Sequence, residues 1–190
     1  MRSTWSTFRS RKRSKRVDTE TQNTRHNCFA ASAIVGVAVL ALSTVSAAPP
    51  NDKLSIPAGF DHWYLVNSMI VTKDSPVFDA IGGLHHIYIN SVGLPRLKMG
   101  GSAPYPDGTI FADDVRDFSL ADGSFSQGSR KAIPVMLKDA KKYASTGGWG
   151  FQAWAGGDPQ RPLVTDPVKT CFACHMPQKN NDYTFSTYLH

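Results

Sequence analysis

The chain has 190 residues, with 21 Lys and Arg against 15 Asp and Glu, a formal net charge of +6. The excess is local: residues 1–47 hold eight basic and two acidic residues, which leaves 13 of each in residues 48–190. With no net charge on that larger part, a basic surface for nucleic acid is excluded as its organising feature.

In chain order, Arg2, Arg9, Arg11, Lys12, Arg13, Lys15, Arg16 and Arg25 precede an apolar, small-residue run at 29–47. The run closes on Val45-Ser46-Ala47, ahead of Ala48-Pro49-Pro50. Basic, apolar and small-residue regions in that order predict a secretory signal peptide over 1–47, with cleavage after Ala47. An uncleaved anchor is the alternative, but the run contains Ser and Thr and barely reaches the ~20 apolar residues of a span. Export implies a periplasmic protein that leaves the membrane once the signal is removed.

Residues 48–190 are of a length for one domain. A Pro-rich opening segment over 48–62 leads to an apolar, β-branched run at Trp63–Thr72, a predicted strand. Lys73–Gly83 reads as a loop, and His85–Asn90 alternates as a second strand. Leu94–Met99 forms a helical turn stopped by Gly100-Gly101, and Pro106-Asp107-Gly108 makes a tight reversal. Thr109–Phe118 is a third strand, followed by turn signals at Asp122-Gly123 and Gln127-Gly128. Ala132–Lys138 is a short fourth strand, in which Pro134 predicts an edge or a bulge.

Asp139–Thr146 reads as a short helix capped by Asp139 and stopped by Gly147-Gly148. Trp149–Trp154 alternates large rings with small residues, as a strand beside something flat. A loop over 156–162 and a helix over Val168–His175 complete the order, before a polar and aromatic tail. The sum is an α+β fold: a mainly antiparallel β-sheet with short helices, the last a C-terminal attachment helix.

That last assignment rests on Cys171-Phe172-Ala173-Cys174-His175, the C-x-x-C-H attachment sequence of a c-type haem. The spacing puts two thiols on one side of a helical turn, each able to add to one vinyl group of the porphyrin. His175 is then delivered to the iron as axial ligand. Half a zinc site is the first alternative, but a structural zinc needs four ligands and no second Cys pair exists. A thioredoxin-like pair is the second, but it normally opens a helix after a strand in a βαβ unit. Cys28 lies in the leader, so Cys171 and Cys174 are both consumed by one covalent haem c and no disulfide remains.

A sixth ligand would close the iron to substrate. Met69, Met99 and Met136 are candidates, as are His85 and His86, which alternate to opposite faces of their strand. Buried methionines are more often core filler. Tyr105, Phe111, Trp149, Phe151 and Trp154 are core residues by default, and some must line a disc as large as haem.

The segment from Cys171 to Ser186, written C-F-A-C-H-x-P-Q-K-x-x-D-Y-x-F-S, resembles the C-terminal signature of the cytochrome P-460 family. His85-His86-Ile87-Tyr88-Ile89-Asn90, Pro106-Asp107-Gly108 and Thr146-Gly147-Gly148-Trp149-Gly150-Phe151 are similar to it as well, in order and at matching spacing. The resemblance implies a periplasmic homodimer and a high-spin haem bound only through His175, with an open distal side. It further implies oxidation of hydroxylamine and a lysine bonded to the porphyrin edge; because the electrons of that oxidation must leave one at a time, a soluble cytochrome is expected as acceptor. Lys98 is the lysine assigned to that bond. A sister group, the β-type cytochromes c′, shares the fold, lacks the lysine bond and binds nitric oxide or carbon monoxide. Hydroxylamine oxidation sheds protons, which makes Asp113 and Asp114 candidate bases. A plain electron carrier is the third and least favoured function, because no methionine well downstream of His175 exists to close the iron.

Overall fold

A computed structural model describes residues 54–189, so the leader and His190 lie outside the described residues. The alternating segments form one five-stranded sheet: β1 (Tyr64–Val71), β2 (Gly83–Ile89), β3 (Ile110–Ala121), β4 (Ser124–Lys138) and β5 (Trp149–Ala155). Each strand pairs antiparallel with the next, in sequence order. Three short helices, α1 (Phe78–Ile81), α2 (Leu94–Met99) and α3 (Ala173–His175), complete the α+β architecture expected from the sequence.

Neighbouring strand residues point to opposite faces, and here both faces are covered. One face carries Val66, Ile89, Phe111, Trp149 and Phe151, packed with Leu97 of α2 and Tyr105. Cys171, Phe172 and Tyr183 of the C-terminal segment rest on this cluster. The other face carries Ala112, Ile133, Val135 and Trp154, covered by Leu54, Ile56, Phe60 and Trp63. The β1–β2 register breaks between Leu65 and Asn67, at Val66. A bulge of that kind adds one residue and re-aims the strand.

Asp122-Gly123 does what its chemistry predicts. Both residues have positive φ, 52° and 74°, and they join the pair Ala121↔Ser124 as a two-residue hairpin turn requires. Past the last β2–β3 pair, Leu84↔Arg116, β3 and β4 run on as a two-stranded ribbon. That ribbon carries β3 beyond Phe118 and starts β4 at Ser124 rather than Ala132. Gln127-Gly128, expected as a turn, lies inside β4. Its glycine marks an irregularity instead: the register shifts between Arg116 and Phe118, and a Cβ on Gly128 would meet Asp117 at 3.1 Å.

Pro134 does not mark an edge. β4 lies between β3 and β5, and Pro134 pairs with Ala153 of β5. On the other side the β3 pairs stop at Ala112↔Val135 and resume at Val115↔Ala132, so the missing N–H falls in a gap in that ladder. The helix expected over Asp139–Thr146 contracts to a 3₁₀ turn at Ala144–Thr146. Asp139 still caps, its carboxylate accepting from the Lys142 amide at 2.9 Å, but Tyr143 leaves helical geometry at φ −110°, ψ 34°. The segment Val168–His175 begins as a π turn over Val168–Phe172 and continues into α3.

Candidate functional site

Asp166 sets up the C-terminal helical turn, its carboxylate accepting from the Val168 and Lys169 amides at 3.2 Å each. This turn carries Cys171 half-buried against the core and leaves Cys174 exposed. Burial pushes the Cys171 thiol above its ordinary pKa. Both cysteines are free, and among the described residues no three His, Cys, Asp or Glu side chains gather into a metal-holding group.

His175 is the most constrained member. Its Nδ1–H donates to the Tyr183 carbonyl at 2.8 Å. A carbonyl can only accept, so the proton sits on Nδ1 and Nε2 carries the lone pair of the neutral ring. Burial pushes the imidazole below its ordinary pKa, with the Tyr183 bond pulling the other way, which keeps the ring neutral at pH 7. Phe151 of β5 and Phe185 of the tail flank it, at centroid distances of 5.1 and 5.0 Å.

Lys98 stands at the end of α2, exposed. Its ammonium lies over the rings of Tyr64 and Tyr188, 5.7 and 5.9 Å from their centroids. An open cleft between α2 and the tail after His175 is lined by Lys98, Gly100, Asn181, Ser186 and Tyr188. Leu97, its neighbour, belongs to the core cluster on which Cys171 packs, so α2 and the cysteine turn share one face of the sheet.

Asp113 and Asp114 separate across β3. Asp113 alternates with Phe111 onto the face that carries the cysteine turn, whereas Asp114 follows Ala112 to the other. Arg130 donates to both Asp114 oxygens at 2.7 and 2.9 Å, and Arg116 adds a third bond at 2.9 Å. Burial alone would raise this carboxyl; the two guanidiniums outweigh it and hold it below its ordinary pKa. That makes Asp114 the shared anchor of two ion pairs. Asp113 is different: one oxygen accepts from His85 Nδ1 at 2.7 Å, and the other is buried with no partner among the described residues.

His85 donates from both nitrogens, to Asp113 and to the Ile81 carbonyl at 2.7 Å. Burial would lower its pKa, but the bond and charge of Asp113, aided by Ile81 and opposed by Lys131, raise it above 6.5. A raised folded pKa contributes stability that is fully present below the ordinary imidazole value and is lost as pH rises through the folded one. His85→Gln should therefore cost most, about 1.5–3 kcal/mol for a bond to a charged group, near the acid end of about pH 5 to 8. The gap should narrow as pH rises. Urea unfolding of both proteins across that range checks this; a gap that does not change with pH means a neutral His85.

With both His85 nitrogens engaged, and His86 bonded to Ser68 at 2.9 Å and Gln127 at 3.3 Å, neither histidine offers a free ligand nitrogen. Met69 and Met99 are exposed, and Met136 packs into the core between the strand positions of Phe111 and Phe151. Three features were not legible as functional in the sequence. Lys138 and Asp182 form a buried ion pair at 2.8 Å, the Tyr183 carbonyl holds His175, and Arg96 is buried over the Tyr105 ring at 4.4 Å. Asp182-Tyr183 sits in the C-terminal signature, but nothing in a sequence marks a lysine as buried.

A comparison with curated proteins finds no match. The family profile described as Cytochrome P460 matches residues 57–186, a span that contains all five strands, Lys98, Asp113 and the whole cysteine–histidine turn. On that match the chain is a haem-containing cytochrome that belongs to the cytochrome P460 family.

Proposed function

We propose that the protein holds one covalently attached haem c through Cys171, Cys174 and His175 and oxidises a small nitrogen compound, hydroxylamine foremost, at an open iron. The observation that carries this reading is the fixed His175 tautomer: a neutral ring with its Nε2 lone pair free for iron, one residue after a free thiol and four after another. The donor set fits the group. Two unpaired thiols suit thioether bonds to the vinyls, and the aromatic face of Phe151, Phe172 and Tyr183 suits a flat apolar disc. When bound, the haem supplies one-electron redox chemistry and the coordination position for the substrate.

The chain's own residues do the rest. His175 would give the iron one ligand nitrogen. His85 and His86 have no spare nitrogen to add a second, which favours a position open to substrate. Asp113, on the sheet face that carries the cysteine turn and with one oxygen uncommitted, is the proton acceptor of this proposal; His85 fixes its orientation. Electrons leave singly, to a soluble cytochrome. A periplasmic homodimer exported by the 1–47 leader remains part of this proposal, the leader lying outside the described residues.

A second reading, a nitric oxide or carbon monoxide binder akin to the β-type cytochromes c′, is favoured by one observation: Lys98 is exposed, its ammonium resting on two tyrosine rings. The optical spectrum of the reduced protein separates the two, since a lysine bonded to the ring shifts the absorption far to the red of ordinary haem c. In the enzyme, Lys98→Ala should convert that spectrum to five-coordinate haem c and abolish hydroxylamine oxidation, with gas binding and fold intact. An unchanged spectrum makes Lys98 a surface lysine and leaves the gas binder standing. No hydroxylamine turnover above free haem, with an artificial acceptor present, sinks the enzyme.

A further inference from the structure

The loop that holds His175 is strained. Asp182 and Tyr183 have φ of 47° and 62°, the left-handed region that side chains other than glycine rarely adopt. Such a conformation persists only where its surroundings over-determine it, and three elements converge on Asp182. Lys138 at the end of β4 donates to its Oδ1 at 2.8 Å and to the Gly147 carbonyl at 3.0 Å. The Tyr105 amide donates to its Oδ2 at 2.8 Å, and Trp149 of β5 donates its indole N–H to the Asp182 carbonyl at 2.8 Å. The Tyr183 ring lies on Gly147, where any Cβ would overlap it.

Lys138 and Asp182 are 4% and 7% exposed. At that depth desolvation offsets much of the attraction between the charges, so the pair is weak as a source of stability. What their pair fixes is the next residue's carbonyl, the acceptor for His175 Nδ1.

We propose that Lys138 and Asp182 are positioning residues that act as a latch on the iron ligand: the ion pair holds the strained Asp182-Tyr183 backbone, and the backbone aims the Tyr183 carbonyl at His175. The latch rests on the proposed haem ligation by His175. An acceptor on Nδ1 makes an imidazole a stronger donor through Nε2, which stabilises ferric iron and lowers the reduction potential. Releasing the carbonyl weakens the donor without touching the thioethers.

The test uses the intact haem-loaded protein and three variants: Lys138→Met, Asp182→Asn, and the two combined. The combined variant strands no charge, so it carries the test if a single variant does not fold. The readouts are the iron–histidine stretching band in the resonance Raman spectrum of the ferrous protein and the midpoint potential. Each variant should keep the haem content of the wild type, move the band to lower frequency and raise the potential. Because the pair acts as a unit, the combined shift should match a single one rather than their sum. A folded variant with both readouts unchanged overturns the latch and leaves haem ligation standing; the pair is then structural only. A wild-type protein without an iron–histidine band overturns the ligation itself, and the latch with it.

Discussion

Replacing both Cys171 and Cys174 with alanine should turn a haem that survives acid-acetone extraction into one that acid acetone releases, outright in the gas binder and once Lys98→Ala is added in the enzyme. The two thioethers are the only bonds that a C-x-x-C-H turn makes to the ring itself. With them gone, the iron bond to His175 remains, and acid breaks it by protonating the imidazole. The two single variants should differ. Cys171 is half-buried on the core cluster while Cys174 is exposed, so Cys171→Ala should also loosen packing, whereas Cys174→Ala removes only a tether. Either single variant should keep its haem through the surviving thioether, with one vinyl group unreacted and the absorption bands shifted accordingly. Haem that stays bound in the double variant has a third covalent bond, and Lys98→Ala added to that background identifies it. A double variant indistinguishable from wild type would falsify the thioether assignment.

What the sequence made legible divides along physical lines. Local chemistry was readable: Asp122-Gly123 supplies two positive-φ residues in a row, and the structure places the hairpin there. The β1, β2 and β5 runs kept their boundaries to within two residues because one side of each packs on a core, which imposes a period of two. The ribbon beyond Phe118 is not legible because it has no such core. Residues such as Ser124, Ser126 and Ser129 are exposed there, pairing is backbone to backbone, and the alternation that announces a strand is absent. Pro134 misled for a related reason. A proline tells that one N–H is missing, but not that the neighbouring strand leaves the matching position unpaired.

The site shows the same division. Cys171, Cys174 and His175 could be named because their chemistry demands a fixed spacing. The group that orients His175 is a backbone carbonyl, which every residue has, so no side-chain pattern points to Tyr183. Asp113 and Asp114 could be separated only by pairing, since adjacent strand residues are equivalent until a partner is known. His85 and the two arginines, distant in sequence, decide that one carboxylate keeps a spare oxygen while the other is saturated.

Trp149→Ala should be the most destabilising single substitution in the domain. The ring is fully buried, packs edge-on against Tyr105 at 5.8 Å and tilted against Phe111 at 6.0 Å, and lies 5.0 Å from the Lys138 ammonium. Truncating a buried tryptophan costs about 3–5 kcal/mol, and the bond to Asp182 adds about 0.5–1.5 kcal/mol. Against the ~5–15 kcal/mol of a typical domain, that leaves a protein close to unfolding at room temperature. Urea denaturation measures it, and a loss under about 1 kcal/mol would show that the ring is not central to the core. Trp149→Phe separates packing from polarity. It keeps most of the apolar area but cannot donate to the Asp182 carbonyl, so its cost should be nearer the ~1 kcal/mol of one hydrogen bond. The phenylalanine variant also removes one of the bonds that hold the left-handed Asp182. Even with its fold intact, it should therefore move the iron–histidine band in the same direction as Lys138→Met, by a smaller amount, since the ion pair still holds the loop from the other side.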